Sequence, residues 1–325
     1  MTTAAFDPRG LAGPIVIVVN PLASRLRSAT RARRIVAETQ DWARAASGDP
    51  GIVVEVDDRA TIDAAGAVAV RIGAGLVVAL GGDGTVAALT GDLAETGIPL
   101  AIIPGGTGNV LATALGIPHD PSRAVRALDG SVRRSIDLGT ASLPGSPGEA
   151  PIQRSFSVGA GVGWDARVMA ATAGAQKRRL GRLAYWVAAL GLVGEMARVP
   201  YTVQIDDRRL ELEATVALVA NAGELVPGLV RPRLPIVPDD GLLDLLVLRV
   251  GSIAGGIRGA LELLSRTELG GSPSGAAFRA RGRRIRIEPE PEQARQVDGD
   301  DLGRGALEAS VRPAALDVLV APLDP

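Results

Sequence analysis

LVVALGGDGTVAALTGDLAETGIPLAIIPGGTGN, from Leu76 to Asn109, reads twice as an apolar strand, a glycine-rich turn and the start of a helix. Leu76 to Leu80 is a short apolar run suited to a strand buried on both faces. It ends in Gly81-Gly82-Asp83-Gly84-Thr85, where three glycines let backbone N–H groups approach a ligand without Cβ obstruction. Val86 to Leu93 then supplies a helix whose N-terminus favours anions. The second copy runs Leu100 to Ile103, Pro104-Gly105-Gly106-Thr107-Gly108-Asn109, then Val110 to Leu115. Two such turns at the carboxyl ends of neighbouring strands make one phosphate-sized crevice, where open α/β sheets bind ligands. Asp83 decides its character. A carboxylate among phosphate-binding amides repels phosphate unless a divalent cation lies between them. Mg²⁺ binds through one or two carboxylates plus substrate phosphates. The pattern therefore predicts a nucleoside triphosphate–Mg²⁺ site rather than a dinucleotide site or turns serving only chain reversal.

Outward from this pair of turns, strands and helices alternate. Ile15 to Val19 is a strand leading into Asn20-Pro21-Leu22-Ala23-Ser24. Arg31 to Ala46 places Ile35, Val36, Trp42 and Ala46 near helical spacing. Ile52 to Val56 reads as a strand and Thr61 to Ile72 as a small-residue helix. Asp120 to Leu128 is a helix opened by Asp120-Pro121 and stopped by Asp129-Gly130. This rhythm predicts parallel βαβ units, a Rossmann-like α/β domain. It changes near Asp137-Leu138-Gly139. Beyond Leu143 to Gly148, a loop, β patterns dominate: Ser155 to Val158, a hairpin of Tyr201 to Ile205 and Leu210 to Ala220 around Asp206-Asp207, and Arg281 to Ile287 as one half-exposed strand. Lys177 to Met196 is predicted helical. The last run, Ala315 to Val320, is expected to return to the first domain. The predicted organisation is an α/β domain over 1–138 joined by 313–325, and a mainly β domain over 139–312.

Composition narrows the function classes. A chain of 325 residues has room for two cores. The net charge of −1 and the 2% aromatic content give no basis for binding nucleic acid. Cysteine is absent, which removes thiol nucleophiles and disulfides. His119 sits in Pro118-His119-Asp120-Pro121, a loop position rather than a catalytic one. Lys177 is the sole lysine, so no Gly-Lys-Ser/Thr loop exists, and phosphate must be held by amides, Mg²⁺ and arginine. The most hydrophobic later stretch, Leu183 to Val193, is shorter than the ~20 residues of a membrane-spanning helix. A cytoplasmic location is expected.

Several motifs carry a resemblance. GGDGT at 81–85 resembles the phosphate-binding motif of the superfamily containing diacylglycerol, sphingosine, NAD and phosphofructokinase enzymes. PGGTGNVLATALGIP at 104–118 resembles the second motif of the diacylglycerol kinase catalytic domain, in the manner of bacterial soluble lipid kinases related to sphingosine kinases. Asn20 to Ser24 resembles the first nucleotide loop. Gly159 to Ala166 is similar to a Gly-x-Gly-x-Asp-Ala segment opening the second domain, and Asp240 to Asp244 to an Asp-Gly-x-Leu-Asp run. Gln296-Val297-Asp298-Gly299-Asp300 resembles an Asp-Gly-Glu motif with Asp300 in place of the glutamate.

The resemblance implies an NAD kinase/diacylglycerol kinase type of α/β domain followed by a β-sandwich, and an ATP-dependent lipid kinase acting on a diacylglycerol- or sphingoid-like hydroxyl. ATP–Mg²⁺ is expected at Asn20, Pro21, Leu22, Ala23, Ser24, Gly81, Gly82, Asp83, Gly84, Thr85, Val86, Ala87, Gly106, Thr107 and Asn109, with Asp83 positioning the metal. Asp298 is implied as the base that takes the lipid hydroxyl proton, with Asp300 as second choice. A structural Mg²⁺ is implied on Asp240 and the carbonyls of Val237 and Leu242, against the alternative of an acidic β-turn. Val110 and Ala87 depart from the family's usual aspartate and asparagine. An NAD kinase-like enzyme and a non-catalytic nucleotide- or lipid-binding regulator are the alternative readings. The lipid is expected at a membrane surface through peripheral contact, with the apolar segment Leu225 to Pro235 and its Arg231 and Arg233 as the touching loop, against the alternative that Leu225, Leu229 and Leu234 fold back onto the second domain's sheet. No nucleic-acid partner is expected, and a homodimer is compatible with the resemblance.

Overall fold

In this computed structural model the described residues are 6–144, 150–163, 198–223, 235–249, 252 and 275–322. The helix expected at Lys177 to Met196, the Trp164-Asp165-Ala166 end of the glycine segment and the apolar loop from Leu225 to Leu234 lie outside them. The chain forms two compact units, 1–138 with 313–325, and 139–312.

The first unit alternates strand and helix: β1 (Ile15–Val19), α1 (Ala29–Ser47), β2 (Ile52–Glu55), α2 (Arg59–Ile72), β3 (Leu76–Gly81), α3 (Asp83–Leu93), β4 (Leu100–Pro104), α4 (Val110–Ala114) and α5 (Pro121–Arg126). Every residue of β1, β3 and β4 is buried. These strands carry no polar side chain that would want water, so they occupy the centre of a parallel sheet. Its order is β2-β1-β3-β4-β16, where β16 spans Leu307–Val320 and contributes its last part here. The register sets Ile15 beside Leu76 and Val78 beside Ala101. Local chemistry sets the helix limits. Asp58 accepts from Thr61 N at 2.7 Å while Thr61 Oγ1 accepts from Asp58 N, a capping box that starts α2 two residues before its predicted beginning. Asp120 caps α5 by accepting from Arg123 N. Since β2 and β3 flank β1 on opposite sides, the order reverses there. The loops after β1, β3 and β4 therefore leave the sheet's carboxyl edge beside this switch point.

The second unit is built from β-strands. One set runs from the first part of β16 through β13 (Arg284–Pro289) and β8 (Val199–Ile205) to β9 (Arg208–Ala214). Strand β5 (Val132–Leu143), which enters from the first unit, pairs with β6 (Ile152–Phe156). The other set is ordered β12 (Ala277–Gly282), β11 (Leu243–Leu248), β10 (Val216–Ala220), β7 (Gly159–Val162), β14 (Ala294–Val297) and β15 (Asp300–Arg304). Inward residues of both sets share one core, including Phe156, Tyr201, Val203, Leu245, Val247, Ile285, Ile287 and Leu307. This is the sandwich solution for two half-apolar sheets.

Two sequence readings are corrected here. Leu210 to Ala220 is not one strand: it breaks at Thr215, with β9 in one sheet and β10 in the other. Thr215 is buried and donates its N–H to Leu248 O, which anchors the crossing. Arg281 to Ile287 likewise divides at Arg283 between β12 and β13. There the Asp206 carboxylate accepts from both Arg283 N and Arg284 N, replacing the ladder bonds lost at the break. The Asp206-Asp207 hairpin stands as read, with Ile205 opposite Arg208.

Tyr201 is the largest fully buried side chain of the described residues, and its hydroxyl has no hydrogen-bond partner among them. Burial pushes the phenol above its ordinary pKa. A buried hydroxyl without a partner carries its desolvation cost uncompensated, about 1–3 kcal/mol. Tyr201→Phe should consequently hold or raise stability in denaturant unfolding. A loss above about 1 kcal/mol would show that the hydroxyl has a partner.

Candidate active site

Three loops gather at the carboxyl edge of the first unit's sheet. Asn20 N donates to Leu80 O, Gly105 N to Gly81 O at 2.6 Å, and Arg25 N to Gly105 O at 2.8 Å. These backbone bonds bind loop 20–24, the β3–α3 turn and loop 105–109 into one layer. Side chains add to it. Asn20 Nδ2 donates to Thr85 Oγ1 at 3.1 Å, and the hydroxyls of Ser24 and Thr107 meet at 2.9 Å. Gly106 is required by the close approach, because a Cβ there would lie 2.7 Å from Gly82 Cα and 2.9 Å from Asn109 Oδ1. Gly106→Ala should therefore force the two glycine turns apart. We expect about 1–3 kcal/mol of lost stability, the usual cost of overpacking, together with weaker binding of the nucleotide that the sequence motifs lead one to expect. Calorimetric titration and thermal unfolding check both. Unchanged values in both would mean the turns yield freely.

Asp83 occupies the first turn of α3, which begins earlier than the predicted Val86. Its carboxylate reaches across to the neighbouring loop. Oδ2 accepts from Asn109 N at 2.8 Å and Oδ1 from Val110 N at 2.6 Å. It thus neutralises the head of α4. A Cβ on Gly108 would come within 2.4 Å of Oδ2, so the small residue at 108 is part of the same contact. Each oxygen keeps one lone-pair direction beyond its amide. Thr85 N and Val86 N donate to Gly82 O, which leaves the N–H groups of Asp83 and Gly84 at the head of α3 available to an anion.

The expected nucleotide residues divide into a surface set and a supporting set. Asn20, Pro21, Leu22, Ser24, Gly82, Asp83, Gly84, Ala87 and Thr107 retain exposure, with Leu22 at 61%. Ala23, Gly81, Thr85, Val86, Gly106 and Asn109 are buried. Asn109 adopts a left-handed backbone (φ 50°) and folds its amide onto Gly106, accepting from Gly106 N and donating to Gly106 O. It shapes loop 105–109 rather than presenting a group to a ligand. Behind it, Thr113 Oγ1 donates to Asn109 O. That hydroxyl has one proton, so at 3.1 Å it accepts from His119, whose Nε2 must carry the hydrogen. Arg25 Nη1 donates to His119 O at 2.6 Å. The lone histidine is thereby part of the loop's support. Sequence reading missed this role, because no local pattern links His119 to the Thr113 hydroxyl six residues before it.

In the second unit, Asp298 and Gly299 form the two-residue turn between β14 and β15, both with positive φ (45° and 91°). This is the turn geometry that suits tight hairpins. The Asp298 side chain makes it more than a turn. Oδ2 accepts from Ser157 N (2.8 Å) and Ser157 Oγ (3.2 Å), and Oδ1 from Val158 N (3.0 Å) and Gly159 N (2.8 Å). Those four donors match the four lone-pair directions of a carboxylate. Burial raises its pKa to about 6, against the lowering pull of the Gly159, Ser157 and Val158 amides. Asp300 opens β15 with partial exposure, two residues further on.

At the implied structural metal position, the Asp240 carboxylate has partners within the protein. Asp240 Oδ1 accepts from Leu242 N at 3.1 Å and Oδ2 is held by Arg281. One carboxylate oxygen closes the turn and the other carries an arginine of a neighbouring strand. Among the described residues no group of three or more acidic, histidine or cysteine side chains is gathered as a metal site.

The chain matches two family models: the diacylglycerol kinase catalytic domain over residues 14–141, and the YegS C-terminal NAD kinase beta sandwich-like domain over 157–320. A Pseudomonas aeruginosa protein named "Probable lipid kinase YegS-like" is 31% identical over 222 residues, which is 67% of each chain. An uncharacterized protein of Synechocystis is 28% identical over 248 residues, 76% of this chain. This chain spans 55% of that relative's length. The crystal structure of a diacylglycerol kinase from Bacillus anthracis superposes with a TM-score of 0.68 at 21% identity, covering 95% of this chain and 97% of that one.

Proposed function

This chain belongs to the diacylglycerol kinase and YegS-type lipid kinase family, and from that premise we propose that it transfers the γ-phosphoryl group of ATP to the hydroxyl of a membrane lipid of diacylglycerol or sphingoid type. The observation that carries the reading is the layer of three loops at the switch point of the first unit's sheet, with Asp83 at its centre. The free N–H groups at the head of α3 and the hydroxyls of Ser24 and Thr107 supply donors for the triphosphate. The remaining lone pairs of Asp83 fit a hydrated Mg²⁺, which binds through one or two carboxylates, waters and phosphate oxygens. When bound with ATP, that ion supplies charge neutralisation to the transferring group. Thr85, Val86, Asn109 and His119 keep the layer rigid.

On the acceptor, the lipid hydroxyl oxygen forms its bond to the γ-phosphorus as the bond to the ADP oxygen breaks, and its proton goes to a carboxylate. We assign that carboxylate to Asp298. A pKa near 6 leaves it mostly ionised at neutral pH yet basic enough to accept. The Ser157 Oγ contact, at 3.2 Å the longest of its four, is the one that an incoming hydroxyl can replace while the three amides stay in place.

Incubating the protein with γ-labelled ATP and either a total lipid extract or NAD tests the reading. Label entering the organic phase from the lipid arm is expected. Label on NAD alone would establish an NAD kinase-like enzyme instead, and ATP binding without transfer in either arm would establish a regulator.

A further inference from the structure

Asp239-Asp240-Gly241-Leu242 leads into β11, where the family resemblance implies an ion on Asp240 and on the carbonyls of Val237 and Leu242. The side chains present occupy that role differently. Arg281 of β12 binds Asp240 Oδ2 and also lies 3.5 Å, through Nε, from Asp244 Oδ2. Arg279, two residues back on the same face, donates from Nε to Asp244 Oδ1 at 2.7 Å and from Nη2 to Pro235 O at 3.3 Å. The β11–β12 register puts Asp244 directly opposite Arg281 and Leu246 opposite Arg279, so the second arginine reaches Asp244 along the diagonal. Asp244 is 1% and Arg279 5% exposed on their side chains. Burial drives the Asp244 carboxyl above its ordinary pKa, and the two arginines oppose that. Two carboxylates thus face two guanidinium groups. A buried carboxylate needs a positive partner with hydrogen bonds, and an arginine fork provides both. A divalent ion at this turn would have to displace Arg281 from Asp240 and then sit beside two positive charges.

We infer that Arg281, backed by Arg279, performs in this chain the structural work of that ion, and that the second unit carries no divalent cation at the Asp239–Asp244 turn. The turn is joined to β12 by a cross-strand salt bridge that forms with the sheet itself. Its integrity is consequently independent of metal supply, unlike a turn closed by an ion.

Elemental analysis and thermal unfolding of the full chain without nucleotide test this. The purified protein should carry no stoichiometric Mg²⁺ or Ca²⁺, and EDTA should leave its Tm unchanged. Arg281→Met should lower Tm by several degrees, with Arg281→Lys recovering part of the loss. A Tm response to Mg²⁺ that persists in Asp240→Asn arises elsewhere and is consistent with the assignment. One equivalent of bound metal that disappears in Asp240→Asn, or a chelator-induced fall in Tm that Mg²⁺ restores only when Asp240 is present, would overturn it. So would an Arg281→Met protein as stable as its parent. Should Arg281→Met fail to fold, the elemental and chelator measurements on the unaltered chain decide alone.

Discussion

If the proposed phosphoryl transfer is correct, Asp83→Asn is expected to lower it by about 10²–10³-fold, the worth of one preorganised electrostatic contact in a reacting site. Two effects of the substitution combine. The side chain loses the charge that, in the proposed function, would hold a hydrated Mg²⁺ near the triphosphate. It also loses an acceptor, because one carboxylate oxygen becomes an NH₂ group facing the amide of Asn109 or Val110. A donor left against a donor costs about 1–3 kcal/mol, so a measurable drop in stability accompanies the loss of rate. Stopped-time assays over a range of Mg²⁺ concentrations, read beside thermal unfolding, separate the two. Near-parental turnover with the same Mg²⁺ dependence would leave Asp83 as a cap for α4 and nothing more.

Asp298→Asn comes second, with an expected loss of about 10²–10⁴ in kcat, the usual range for a general base. ATP affinity should survive, since the nucleotide loops belong to the other unit. In the unaltered protein, kcat should fall as pH drops through about 6, where Asp298 takes up a proton, and this inflection should vanish in the variant. Stability moves the opposite way. A carboxyl whose folded pKa lies above the ordinary 3.8 contributes most below that value and loses its contribution as pH rises through about 6. Ser157→Ala removes the 3.2 Å hydroxyl contact and keeps the three amides, so it should cost far less than the loss of the carboxylate. If Asp300→Asn alone is damaging, the base moves to that residue. If neither aspartate matters to rate, the turn is an anchor for residues 157–159.

Much of the first unit was legible from local pattern. Apolar runs such as Leu76 to Leu80 can satisfy their side chains only at the middle of a parallel sheet, and the glycine turns mark where the strands end at its carboxyl edge. The second unit was less legible, because strand-forming residue types run on where the chain leaves one sheet for the other. Leu210 to Ala214 alternates and Val216 to Ala220 is continuously apolar, but both are strand-forming patterns and Thr215 between them is no turn residue, so the crossing carries no break signal. The site followed the same division. GGDGT identifies Asp83, yet not its partners at Asn109 and Val110, 26 and 27 residues away. The cradle around Asp298 joins positions about 140 residues apart, which no local signal encodes. Arg281 was read as one exposed arginine of an alternating strand. Only the β11–β12 register reveals that it faces Asp244 and holds Asp240.

The order in which a ribosome makes this chain differs from the order in which its parts can be completed. The first unit is emitted almost entirely by residue 138, but β4 still lacks its neighbour, which arrives only with the end of β16. Val318 must pair with Leu100, and the Asp137 carboxylate waits for the amide of Ala314. All of residues 139–312 are translated in between. A nascent chain therefore carries an apolar, unpaired strand edge for the whole synthesis of the second unit, and such an edge is a template for pairing with other chains. A fragment ending at 138 would keep that open edge permanently.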